Sequence, residues 1–274
     1  MLRISPGITG KPARYALSAA LRPGELGAAA RQQYTLLRKR GLSAHTLPVV
    51  KFLRFLAGLL MVPCGAVATR ALFSMVQANH LSVHGAVPPG SLALASGFLL
   101  WIAVYFLLPR PVRSYVIAHE LTHALWGMAM GARVSGLKIT DRSGSVTVSK
   151  NNAFITLAPY FFPLYTVLVI AGYYGLGVFY EVERYFDWWM GLIGFTWAFH
   201  FTFTVGALMQ RQSDIREYGR LFSYAMIYLF NVLGVVLWTV LVSPVTLEET
   251  AGYFEKHTLS LVEASRGLIR NISQ

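Results

Sequence analysis

The sequence predicts an all-α fold of about six membrane-crossing helices with one small β-hairpin, on three observations. Of its 274 residues, 55% are hydrophobic and 13% charged, about half the charged share of a soluble domain. Mean hydropathy is positive, at +0.49. Apolar runs largely free of Asp, Glu, Lys and Arg recur along the chain, near the roughly 20 helical residues that cross a hydrocarbon core.

Lys and Arg number 24 against 12 Asp and Glu, a net charge of +12. A nucleic-acid-binding protein of that charge would not also be this apolar, and an ordinary cytosolic enzyme would carry more charge. The combination fits a membrane protein whose basic loops face anionic lipid and the cytoplasm, so the expected partners include the bilayer and exclude nucleic acid. Cys64 is the single cysteine, so this chain alone builds no disulfide framework and no thiolate metal site. Any metal must be held by histidine and carboxylate.

In chain order, residues 1–51 form a basic, cytoplasmic segment with Glu25 as its one acidic residue. A short helix is expected over 25–40, between Pro23-Gly24 and Gly41. The first apolar run starts too late for a signal peptide and reads as a retained anchor. Residues 52–243 form the membrane domain, with spans expected over 55–76, 92–108, 112–130, 153–174, 188–209 and 221–242. Arg133 to Lys150 reads RVSGLKITDRSGSVTVSK, with Val134, Ile139, Val146, Thr147 and Val148 on either side of Asp141, Ser143 and Gly144, a hairpin signal in an otherwise helical chain. Residues 244–274 form a tail of mixed charge and modest amphipathicity. A cytoplasmic N-terminus and six simple crossings would put 133–150 and 211–220 outside, against the positive-inside tendency. Either the third span does not cross fully, or one of the first two is not a span.

The third span holds the chemistry. It contains His119-Glu120-Leu121-Thr122-His123. Helix positions four apart share a face, so both imidazoles can reach one metal ion, while Glu120, turned by about 100°, can reach a water on it. Zinc lowers the pKa of bound water towards about 7, and the carboxylate takes the proton as that water attacks a carbonyl. Two imidazoles and a carboxylate within one turn are costly in a bilayer unless they have partners or a function.

Three protein ligands are needed, and three residues compete for the third place. Asp214 opens the last span in SDIREYG, where it could instead cap that helix, since Glu217 stands at capping-box spacing. His200 lies in the fifth span and Glu183 in YEVERYFDWW. His80 and His84, also four apart, have no adjacent carboxylate and read as loop histidines. The aromatic cluster from Tyr173 to Trp189 reads as a membrane-interface belt.

Over about 112–242 the chain resembles the site-2 proteases, intramembrane zinc metalloproteases. The likeness rests on HELTH in a membrane helix, an aspartate opening a later helix, and a β-structured loop after the first motif. The resemblance implies His119 and His123 as Zn2+ ligands, Asp214 as third ligand, Glu120 as catalytic base, and a membrane-spanning protein as substrate. Where that family has Leu-Asp-Gly, this chain has Ser213-Asp214-Ile215. Asn151, Asn152, Pro159 and Pro163 would loosen the fourth span in a comparable way. The hairpin could hold substrate extended by adding it as a strand. The expected location is a bacterial inner membrane. Competing readings are a gluzincin-type membrane metalloprotease with Glu183 as ligand, a membrane scaffold with structural histidines, and a transporter using His119, Glu120, His200 and Asp214 as a relay.

Overall fold

The computed structural model describes residues 48–81, 89–141 and 143–272; the helix expected over 25–40 and the His80 and His84 side chains lie outside what it describes. Its helices are α1 (Pro48–Leu81), α2 (Pro89–Leu107), α3 (Val112–Ala129), α4 (Ala153–Phe161), α5 (Leu164–Gly177), α6 (Phe186–Leu208), α7 (Ser213–Tyr218), α8 (Arg220–Val242) and α9 (Leu247–Ile272). Strands β1 (Val134–Ile139) and β2 (Gly144–Val148) stand between α3 and α4. Contacts divide the described chain into two compact units, 48–54 with 89–220, and 55–81 with 221–272.

Among the described residues, four segments are long and apolar enough to cross a membrane: Pro48–Ala78, Pro89–Leu107, Glu183–Leu208 and Arg220–Val242. A fifth crossing arises if α4 and α5, bent by 76° at Phe162-Pro163, count as one broken span. Among the described residues four or five candidate crossings thus stand against the six expected, in a helical fold consistent with an integral membrane protein. The helix that drops out is α3, whose 18 residues include Arg113, His119, Glu120 and His123. The same residues that carry the motif lower its apolarity.

In the first unit, α2 and α6 approach until backbone meets backbone. A Cβ placed on Gly97 would stand 1.8 Å from the Gly191 carbonyl oxygen, and one on Gly194 would stand 2.0 Å from that of Leu94. Small residues allow this approach, which membrane helices use because packing and hydrogen bonding, rather than water, drive their association. Trp101 is buried against Ala198, Phe199 and Phe203, and its indole N–H donates to Thr202 Oγ1 at 2.9 Å.

Helix α3 ends in a Schellman turn. Gly131 adopts φ +69°, its N–H bonds the Met128 carbonyl, and the Ala132 N–H bonds that of Gly127. The reversal sends the chain directly into β1. The two strands are antiparallel, with Val134 opposite Val148, Lys138 opposite Ser145, and an irregularity between Ser135 and Lys138. A Cβ on Gly127 would lie 2.6 Å from Val148 Cγ1, so the hairpin packs tightly along α3. Helix α4 is capped by Asn152, whose Oδ1 accepts from the Ile155 N–H at 2.9 Å, and is buried from Ile155 to Phe161. The short α4 thus enters the interior beside α3 instead of starting a straight span.

In the second unit, Met75 of α1 packs with Val236 and Val245, and Tyr253 and Phe254 of α9 cover them. The expected tail 244–274 is therefore mostly a long helix.

Candidate metal centre

Helical spacing places His119 and His123 on one face of α3, and their Nε2 atoms lie 3.2 Å apart. Asp214 Oδ2 lies 3.8 Å from the first and 3.9 Å from the second. Ligand atoms around a tetrahedral zinc bound at about 2.0–2.1 Å are about 3.3 Å apart. A small contraction of this triangle therefore accommodates such an ion, and the three residues could hold a metal. All three side chains are largely buried.

The orientation of each donor has a structural cause. His123 Nδ1–H donates to the Ile155 carbonyl at 2.8 Å, which leaves the Nε2 lone pair facing the triangle. That carbonyl is available because of the sequence of α4. Its helical partner would be the N–H four residues on, and that position is Pro159, which has none. The proline expected to loosen the fourth span thus also frees an acceptor for a histidine on another helix. Pro159→Ala supplies a competing N–H at that carbonyl. Since a carbonyl oxygen can accept two bonds, metal affinity is expected to fall by about tenfold, the low end for loss of such an outer partner. Chelator competition on the purified protein measures this, and unchanged affinity would contradict the role.

Tyr160, fully buried on α4, donates its hydroxyl to Asp214 Oδ2 at 3.0 Å and turns its ring edge-on to His119. Ser213 Oγ donates to the other carboxylate oxygen at 3.2 Å. Asp214 does not cap its helix: Gln212 holds that position without a side-chain bond, and Asp214 sits inside α7. The capping-box spacing to Glu217 has a different use. Glu217 Oε1 accepts from Asn151 Nδ2 at 2.9 Å, and Thr156 Oγ1 donates to Asn151 Oδ1. The Glu217 carboxyl is pushed above the usual carboxylate range by desolvation and then by the Asp214 charge, with Arg54 opposing. Arg54 also donates to the Glu217 carbonyl at 3.1 Å and lies over the Tyr218 ring. These contacts fasten α7, a helix of only 6 residues, in the place that presents Asp214.

Glu120 points away from the triangle's face of α3 and towards β2, 9% exposed, where its carboxylate accepts the Val146 N–H. A Cβ on Gly144 would come within 2.5 Å of Glu120 Cγ and 2.7 Å of Val116 Cγ1. Gly144 does not have the positive φ of a turn glycine; it opens β2, and its missing side chain leaves the volume that Glu120 fills. Gly144→Val is expected to displace Glu120, abolishing any activity that depends on it while bound metal, measured by elemental analysis, stays at the wild-type level. Metal loss in that variant would show that the strand supports the ligands instead.

His119, His123, Asp214 and Glu120 all line one cavity of about 240 Å³, with β2 forming a wall from Gly144 to Val148. The other two candidates for the third ligand stand elsewhere. Glu183 is in a 3-10 turn ahead of α6, and neither it nor His200 joins the cluster. His200 lines a separate space of about 10 Å³ behind His119, enough for about one water. Tyr160, Pro159, Gly144 and the Asn151–Glu217 pair are the participants that sequence reasoning did not identify in these roles. Only the four-residue step from Ile155 to Pro159 left a readable signal.

No family model, curated protein or solved structure matches the chain.

Proposed function

We propose that the protein is a zinc-dependent intramembrane endopeptidase, similar to the site-2 proteases, that hydrolyses peptide bonds of membrane-spanning proteins in a membrane such as the bacterial inner membrane. The observation that carries this reading is the meeting of His119, His123 and Asp214 around one point, with Glu120 and the edge of β2 lining the same cavity. Zinc at that point would supply Lewis acidity, polarising a substrate carbonyl and making a water acidic enough to lose its proton near neutral pH.

The rest of the chemistry belongs to the chain. Glu120 accepts the proton of the attacking water and delivers it to the leaving amine. Its burial against β2 and its bond from Val146 fix the carboxylate's position before substrate arrives. Strand β2 pairs with β1 along one edge, while the Val146 N–H turns to the other, to Glu120. The outer edge of β2 therefore faces the cavity, where an extended substrate segment could add as a further strand. Such pairing suits hydrolysis because a helical substrate shields its peptide bonds. Asp214 favours this reading over the gluzincin one, since Glu183 lies outside the cluster.

The test is cleavage of a single-span reporter in proteoliposomes by wild type and Glu120→Gln, with bound metal measured on both. Cleavage lost with metal retained supports the assignment. Undiminished cleavage, or metal lost with Glu120, contradicts it.

A further inference from the structure

Helix α9 carries two kinds of surface along one stripe. Residues on one helical face recur at three- and four-residue steps, and here that face runs through Thr250, Phe254, Leu261, Leu268 and Ile272. Its first half is covered by protein. Thr250 is buried, Tyr253 and Phe254 pack on the Met75–Val236–Val245 core, and His257 bonds Ser74 of α1 at 2.8 Å. Beyond Leu261 the same apolar stripe continues into the open, with Leu268 63% and Ile272 77% exposed, while Glu263 and Arg266 occupy the opposite and flanking faces.

The start of the helix says what surrounds it. It begins just after α8 ends at Val242, at the end of a candidate span. The contacts that Tyr253, Phe254 and His257 make with this unit fall in its first half, and the apolar residues beyond them are exposed.

We propose that the C-terminal half of α9 is an interfacial helix. It lies in the headgroup layer, with Leu268 and Ile272 turned into the acyl boundary, Glu263 in water, and Arg266 reaching up to lipid phosphates. A segment that is apolar on one side, charged on the other and low in net hydrophobicity is the kind that lies in this layer rather than crossing it, and arginine at its flank snorkels. The inference needs the membrane-integral fold but not the proposed protease chemistry, and its failure would leave that chemistry untouched.

Depth measurement tests it on the full chain. In a Cys64→Ser background, or Cys64→Ala should the first fail to fold, spin labels are placed singly through Glu263→Cys, Leu268→Cys and Ile272→Cys. The proteins are reconstituted in phosphatidylcholine vesicles with a quarter phosphatidylglycerol. Collision with oxygen, which concentrates in the acyl region, is compared with collision with a water-soluble nickel chelate. Labels at Leu268 and Ile272 are expected to favour oxygen, and the label at Glu263 to favour nickel. Equal preference for nickel at all three positions would place the helix in water and overturn the proposal. Low collision with both reagents and an immobilised spectrum at Leu268 and Ile272 would overturn it in favour of coverage by protein, either a second copy or another segment of this chain.

Discussion

Purified in detergent, the wild-type chain is expected to carry about one zinc ion, and Asp214→Ala and His123→Ala are expected to carry none, because a catalytic-type zinc site needs about three protein ligands. The fold must be separated from the ligand in reading this result. Asp214 also accepts the hydroxyl of the fully buried Tyr160, and removing the acceptor loses a hydrogen bond to a charged group, worth about 1.5–3 kcal/mol. Asp214→Asn resolves the two. Its amide oxygen still accepts from Tyr160, while the anionic donor to the metal is gone. Loss of zinc in Asp214→Asn with an unchanged elution profile assigns Asp214 as the third ligand. Zinc retained at the wild-type level in both Asp214 variants would sink the assignment and return attention to His200 and Glu183.

The second large effect is expected at Glu120. Glu120→Gln should lower cleavage of a membrane-spanning reporter by about two to four orders of magnitude, the usual contribution of a positioned general base, with zinc content unchanged. The substitution is close to isosteric, and the amide oxygen can still accept the Val146 N–H, so β2 and the cavity wall keep their places. A fall of this size therefore reports the missing proton acceptor. Gly144→Val reaches the same end by displacing the carboxylate, so the two variants should lose activity together and retain metal together. A Glu120→Gln protein with near wild-type cleavage would exclude the base role.

Much of the candidate site is local chemistry, which is why it could be read from one strand of text. The spacing of His119 and His123 is a property of the α-helix, and it puts both imidazoles on one face, where their Nε2 atoms lie 3.2 Å apart. The hairpin followed from period-two alternation around turn residues, and Pro163 stands at the break between α4 and α5. What could not be read depends on distant contacts. Capping-box spacing at Asp214 is as good a reason for an N-cap as for a ligand, and only the packing of α7 against α4 turns its carboxylate to Tyr160 and the histidines. Gly144 reads as a turn glycine until Glu120 is found in the space where its side chain would be. The crossing count fell because Arg113, His119, Glu120 and His123 lower the apolarity of α3, and the last three of them line the candidate site.

The sequence by itself determined that this is a helical, membrane-integral chain with two imidazoles and a carboxylate on one turn, because hydropathy and helical periodicity act over neighbouring residues. The tertiary structure alone decided which distant carboxylate joins them, which carbonyl orients His123, and where the last helix stops packing on its own unit. Those outcomes depend on the convergence of α3, α4, β2 and α7, and of α1, α8 and α9, where side-chain volume and hydrogen-bond satisfaction across the fold select among choices that local spacing leaves equal.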